Sequence, residues 1–273
     1  MNALLALLPL VSAADLSPDL EVRGAFSYAR VGLQAELRGG AKIPLWNQPD
    51  SALFSDTFLK VHGTAMATPA YLRGGARLTF EPIAVFNLAA FGYYSYYFGN
   101  FQTIIAFDDP DVNYGTNDEL EAFSAQQTPG GGFTWGLSPT IKAKAGPMII
   151  AINAEYTSWH ITAEPEYGDY FFEREYELLI GFQDQMLSTN ALLLYHLDRN
   201  SEDGRYLRIG DITTWRRALG DTDDTLLRTG LLVSLSAREE RWTHSLIVQP
   251  YLISRAYPNA FPPFVAYTVK WVL

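Results

Sequence analysis

The chain has 273 residues, of which 48% are hydrophobic, 14% aromatic and only 18% charged; the formal net charge is −10 and there is no cysteine. The acidic balance excludes the basic footprint of sequence-independent nucleic-acid binding, and the lack of thiols excludes disulfides, thiolate metal sites and thiol catalysis. Mean hydropathy is −0.03, too low for a bundle of membrane helices, so apolar and polar side chains must alternate on a finer scale.

In chain order, the first segment is MNALLALLPLVSAADLSPDL. An apolar run from Ala3 to Val11 precedes Val11-Ser12-Ala13, a small-residue site of the kind signal peptidase accepts. Residues 1–13 are therefore expected to be a signal peptide and 14–273 a single domain. Glu81-Pro82 reads as a tight turn; for it to lie on the opposite membrane side from the long Gly99 loop, either Thr57 to Phe80 is one long strand or another strand boundary is displaced. Ile83 to Phe107 carries no charge before its end, yet Phe86, Leu88, Ala90, Tyr94, Tyr96 and Phe98 recur with a period of two. That period, with so many aromatics, predicts a strand and not a membrane helix.

The same pattern recurs downstream. Phe133, Trp135, Leu137, Ile141 and Ala143 share one face, as do Met148, Ile150, Ile152, Ala154 and Tyr156 after a second tight turn at Gly146-Pro147. Leu187 to Leu197, Leu227 to Leu235 and Leu246 to Leu252 alternate likewise. These runs of about 10 to 14 residues are long enough for tilted membrane strands. Between them lies a long polar connection, Gly99 to Gly130. It carries Asp108, Asp109, Asp111, Asp118, Glu119 and Glu121, which are expected to stand in water beyond an aromatic girdle.

The last stretch is PPFVAYTVKWVL. Val265, Tyr267, Val269, Trp271 and Leu273 are apolar at every second position, and the spacing predicts a lipid-facing strand that closes a barrel against the first one. This tail resembles the C-terminal signal of bacterial outer-membrane β-barrel proteins, differing in that Leu273 is last while Trp271 supplies the aromatic. The alternating runs divide into an even ten or twelve strands, and the resemblance implies that they form an all-β, antiparallel up-and-down transmembrane β-barrel in the outer membrane of a Gram-negative bacterium. It also implies contact with outer-membrane lipid, and with the barrel-assembly machinery through the C-terminal strand. Long loops would then lie outside the cell and short turns in the periplasm.

Three groups of residues carry candidate chemistry. On the expected lumen face stand Lys60, His62, Arg73, Arg77, Lys142, Arg208 and Arg228, opposed by Glu155, Glu173, Glu175 and Glu177. They read either as a charged pore that selects a small solute by sign or as an ion-paired filling of a narrow barrel. Ser158 and His160 share the lipid face, where a lipid hydrolase would need nucleophile and base together. Asp109, Asp111 and Asn113 are spaced like the start of a Ca²⁺ loop, but Tyr114 holds the glycine position and Leu120 that of the bidentate glutamate. The sequence has no phosphate-binding glycine loop, metal motif or triad spacing, and no cofactor is expected. The function expected is a non-enzymatic barrel, either a narrow porin-like solute channel or a structural membrane protein; the alternative is an integral lipid-modifying hydrolase using Ser158 and His160.

Overall fold

The computed structural model describes residues 16–28, 32–46, 48, 50–163, 168–197, 205–237, 241–258 and 262–272; the expected signal peptide and Leu273 lie outside them. The strands in chain order are β1 (Ser17–Ser27), β2 (Gly32–Pro44), β3 (Phe58–Ala67), β4 (Tyr71–Ile83), β5 (Phe86–Tyr97), β6 (Ile105–Phe107), β7 (Gly130–Ala145), β8 (Met148–Ile161), β9 (Tyr170–Glu173), β10 (Leu178–Gly181), β11 (Gln183–His196), β12 (Tyr206–Ala218), β13 (Thr225–Ala237), β14 (Trp242–Gln249), β15 (Tyr251–Ile253) and β16 (Phe264–Val272). A short helix, α1 (Asn117–Glu121), lies between β6 and β7.

The large sheet has 13 segments. β14 and β15 are one strand interrupted at Pro250, since both pair with β13, so the sheet comprises twelve strands. Each is antiparallel to its neighbours in the ring, and β1 closes on β16 with Glu21 opposite Val272 and Ser27 opposite Ala266. Closure leaves no edge, which is the requirement for backbone immersed in hydrocarbon.

Hydrophobicity is turned outward. Leu33 and Ile141 are each 61% exposed, and Leu37, Val61, Leu78, Leu193 and Leu231 join them on the outer face. Aromatic rings gather towards both rims: Tyr94, Tyr96 and Phe133 near one, and Trp242 tilted against Trp271 at 5.7 Å near the other. Girdles of this kind sit at headgroup depth. The uncharged stretch Ile83 to Phe107 is strand β5 followed by a chain segment that turns into the barrel mouth.

Two boundaries differ from the sequence reading. Thr57 to Phe80 is not one strand but the hairpin β3–β4, turned at 68–70. There Thr68 Oγ1 accepts the N–H groups of Ala70 (3.1 Å) and Tyr71 (2.9 Å), a side-chain turn whose short Thr-Pro-Ala sequence carries no glycine signal. Glu81 and Pro82 lie inside β4, and the turn falls at 84–85. The register shifts between Phe80 and Ile83, and such a bulge tolerates a proline that cannot donate to the ladder. The end bearing 84–85 and 146–147 also carries the longer connections 45–57 and 197–205 and both ends of the barrel chain, so its turns are not uniformly short.

The opposite end, here the loop end, is filled. Residues 98–129 and 168–182 fold inward and pair as a three-stranded sheet in the order β10-β9-β6. Ile105, Phe172, Leu178, Leu179, Ile180 and Leu120 are all 0% exposed. The acidic loop is therefore only half as expected. Its six carboxylates are exposed, whereas Ile104, Ile105, Phe107, Tyr114 and Leu120 belong to the main buried apolar cluster.

One outward residue breaks the apolar belt. Asp211 lies near the middle of β12, opposite Leu193 and Leu231, and accepts hydrogen bonds from Thr213 (3.2 Å) and Thr229 (3.1 Å). The two threonine hydroxyls lie 2.7 Å apart, so without the carboxylate one can donate to the other. Asp211→Leu is expected to stabilise the folded barrel by about 1 kcal/mol, the low end of the range for lipid-face charges. Equilibrium unfolding from lipid vesicles by denaturant checks this; a loss of stability would show that the carboxylate is needed at the protein–lipid boundary.

Candidate functional site: a hairpin seated on three arginines

The β9–β10 hairpin points its tip, residues 174–177, at the barrel wall beneath the plug. The tip is closed by Glu177 N–H donating to Glu173 O at 2.8 Å, and by Tyr176 N–H donating to Glu173 Oε2 at 2.7 Å. Glu177 sits in the left-handed region at φ 57°. That costs a non-glycine residue about 1 kcal/mol or more, and the contacts of its side chain hold it there.

Those contacts come from strands distant in sequence. Arg73 on β4 pairs with Glu175 at 2.7 Å, and Tyr71 OH donates to the same carboxylate at 3.0 Å. Arg228 on β13 pairs with Glu177, whose other oxygen accepts from Tyr251 OH at 2.7 Å. Arg216 on β12 donates to the carbonyl oxygens of Glu175 (3.0 Å) and Tyr176 (2.9 Å). Its guanidinium also lies over the Tyr176 ring at 5.4 Å, and that ring meets Trp159 edge-on. Each arginine is on an inward position because strand parity puts it there: Leu72 and Leu227 beside them face out.

A second tier locks the plug to the loop-end rim. Asp224 accepts from Tyr114 OH (3.0 Å) and from Leu179 N–H (2.8 Å). Arg255 donates to Pro110 O at 2.8 Å and to Thr222 O at 3.1 Å. Arg174 reaches Phe101 O across the two in-folded connections.

No protein-family model matches the chain, and no curated protein matches it. Solved structures do. The β domain of the Bordetella autotransporter BrkA superposes with a TM-score of 0.50 at 10% identity, over 94% of this chain and 98% of that one. The KdgM porin in complex with disordered oligogalacturonate gives 0.40 at 8% identity, over 93% and 97%. The Vibrio cholerae outer-membrane protein OmpT lacking loop L8 gives 0.38 at 8%, over 94% and 99%. The fold is that of a bacterial outer-membrane β-barrel. Its apolar outer face and closed ladder are those of a protein resident in that membrane.

Within this outer-membrane barrel the candidate residues fall into separate groups. Arg73, Arg228, Glu175 and Glu177 come together. Glu173, Glu175 and Glu177, however, are not wall residues: they ride on the in-folded hairpin, because 168–182 does not span the barrel wall. Arg77, over the Phe91 ring at 5.7 Å, and Glu155, accepting from Thr157 at 3.2 Å, line the wall. Lys60 and His62 face Asp19, Lys142 grips Glu81 at 2.9 Å, and Arg208 faces inward on β12 towards the turn end. Arg216, Tyr71, Tyr251 and Asp224 were missed. Arg216 shares the parity of Arg208 along β12, so the alternation itself was the signal for it.

Ser158 and His160 do face outward, opposite Trp135 and Phe133 of β7. Alternate residues on a strand are about 6.7 Å apart, and no hydrogen bond joins the two. Asp109 and Asn113 accept the backbone N–H groups of Asp111 (2.9 Å) and Gly115 (3.2 Å), so their side chains shape turns. Among the described residues no group of three His, Asp or Glu is placed to hold a metal.

Two predictions follow from the clamp. Arg228 and Glu177 are 5% and 4% exposed, and removing one partner of so buried a pair leaves an uncompensated charge, typically costing about 3 kcal/mol or more. Glu177→Gln should therefore reduce amide-exchange protection in β9 and β10 by about 100-fold, while the β1–β16 ladder stays protected. Equal loss in both would mean that the hairpin and barrel unfold as one unit. The second concerns pH. Burial, and then the neighbouring charge of Glu175, push the Glu173 carboxyl up to about 7 from 4.5. The seated hairpin thus binds a proton more tightly than a released one. Its seating gains stability as pH falls from about 7 towards 4.5, and loses it as pH rises through that window. Exchange protection of the hairpin measured at pH 5 and pH 8 should show this gain at the lower pH, and Glu173→Gln should flatten it.

Proposed function

We propose that the protein is a non-enzymatic outer-membrane channel whose narrow lumen is held shut at the loop end by the β9–β10 hairpin. The observation that carries this reading is the mode of attachment. The tip is fixed to the wall by ion pairs and hydrogen bonds through Glu175 and Glu177, not by a continuous backbone ladder with the barrel. These polar contacts at the tip can be exchanged for water or a competing anion, while the apolar contacts of Phe171, Phe172 and Leu178 to Ile180 hold the base of the hairpin at the rim. The inward wall carries Ser95, Thr134, Thr157, Thr214 and Ser188 beside Phe91, Leu194 and Leu232, and the polar members are of the kind a water-compatible path requires. In this reading the loop end lies outside the cell and strand β16 is what the barrel-assembly machinery recognises.

Conductance in planar bilayers tests it. The wild-type barrel should be almost silent at neutral pH. Glu175→Gln/Glu177→Gln, and a second variant with residues 171–180 replaced by a short Gly-Ser linker, should each conduct at least about tenfold more, the equivalent of roughly 1.4 kcal/mol in gate stability. If both variants fold and neither conducts, the plug is permanent and the protein is a structural component of the membrane.

A further inference from the structure

We infer that Arg73, Arg216 and Arg228 form a binding site for a solute bearing two or more carboxylates, and that Glu175 and Glu177 occupy it in the closed state. The inference rests on the channel reading and gives that channel its substrate class.

The first support is the donor set. Three guanidinium groups, from β4, β12 and β13, converge on one short tip. Two hydroxyl donors, Tyr71 and Tyr251, reach the same two carboxylates. A planar fork of N–H donors matches a carboxylate in shape as well as in charge, which a lysine at the same place would not. The hairpin's own carboxylates show what kind of group these donors accept.

The second support is that the hairpin does not fill the site. Arg216 donates only to carbonyl oxygens here, and among the described residues no carboxylate lies within salt-bridge distance of it. Arg73 Nη2, Arg216 Nε and Arg228 Nε are buried without a hydrogen-bond partner, although Arg73 and Arg228 are only 6% and 5% exposed. Buried donors of this sort normally find an acceptor. The clamp has more N–H donors than the two glutamates use, so a ligand with more oxygens than the tip offers would fit it better.

These two features also give the opening step a cause. A polycarboxylate reaching the clamp competes with Glu175 and Glu177 for the same guanidinium groups, and binding to the open form draws the equilibrium away from the seated hairpin. A cationic solute would meet repulsion at the same point.

Calorimetric titration in detergent tests the site without requiring conductance. Citrate is the probe, with inorganic phosphate and spermidine as comparison ligands, and Glu175→Gln/Glu177→Gln is the receptor. Citrate should bind, at least about tenfold more tightly than phosphate, and spermidine should not. Adding Arg216→Gln, which leaves both ion-paired arginines in place, should weaken citrate binding about fivefold or more; adding Arg73→Gln and Arg228→Gln should abolish it. Citrate affinity unchanged by Arg216→Gln, or phosphate binding as tightly as citrate, would overturn the carboxylate site. Conductance in the same double variant would still stand as evidence for a channel, so the two readings fail separately.

Discussion

In hydrocarbon each backbone N–H and C=O must find its partner within the protein, and the pairing of β1 with β16 is what completes that account here. Everything else in the structure is arranged around the closed ring it creates. Because the strands are pleated, closure sorts side chains into two sets by parity alone. Leu33, Val61, Ile141 and Leu231 go to the lipid, while Asp19, Glu36, Lys60, Arg73 and Arg228 go inside. The usual logic of a soluble core is inverted along the barrel and restored only at the loop end, where the plug buries Phe172, Leu178 and Ile180.

A narrow ring lined by charges creates its own demand, since ions held away from bulk water need partners. Along the wall this is met between close strands: Glu21 with Arg38 and Lys270, Asp19 with Lys60, and Glu81 with Lys142. At the level of Arg73, Arg216 and Arg228 the wall meets it through the hairpin. The plug is thus apolar where it meets the rim and ionic where it meets the lumen. Of these two contacts, the ionic one is the more readily exchanged for water or for a competing anion, and this is the physical basis for reading the tip as a latch.

The architecture was largely legible because a period of two over ten or more residues has few other meanings. β5, β7, β8 and β16 could be placed from Phe86 to Phe98, Phe133 to Ala143, Met148 to Tyr156 and Val265 to Trp271. The turn at 68–70 was not, since Thr68 makes it with a side-chain hydroxyl instead of a glycine. The plug was illegible for a different reason. Phe171, Phe172, Leu178, Leu179 and Ile180 form short apolar runs that alternation cannot assign, and the pairing of Phe171 and Phe172 with Ala106 and Ile105 spans loops that carry no common pattern. Opposite charges at Arg73, Arg228, Glu175 and Glu177 could be named as partners, but only the fold shows that the carboxylates arrive on a loop.

The central claim is that the hairpin tip covers the clamp and can leave it while the barrel stays closed. Ser95 reports on this directly: it is 0% exposed and accepts from Arg73 Nε at 2.9 Å, the arginine that Glu175 of the tip engages, in a chain with no native cysteine. The decisive measurement is the rate at which a charged, water-soluble thiol reagent modifies Ser95→Cys, with and without Glu177→Gln. The account predicts slow labelling in the otherwise native barrel and labelling at least about tenfold faster when the latch is weakened, the rate counterpart of roughly 1.4 kcal/mol. Equal rates in the two folded proteins would contradict it.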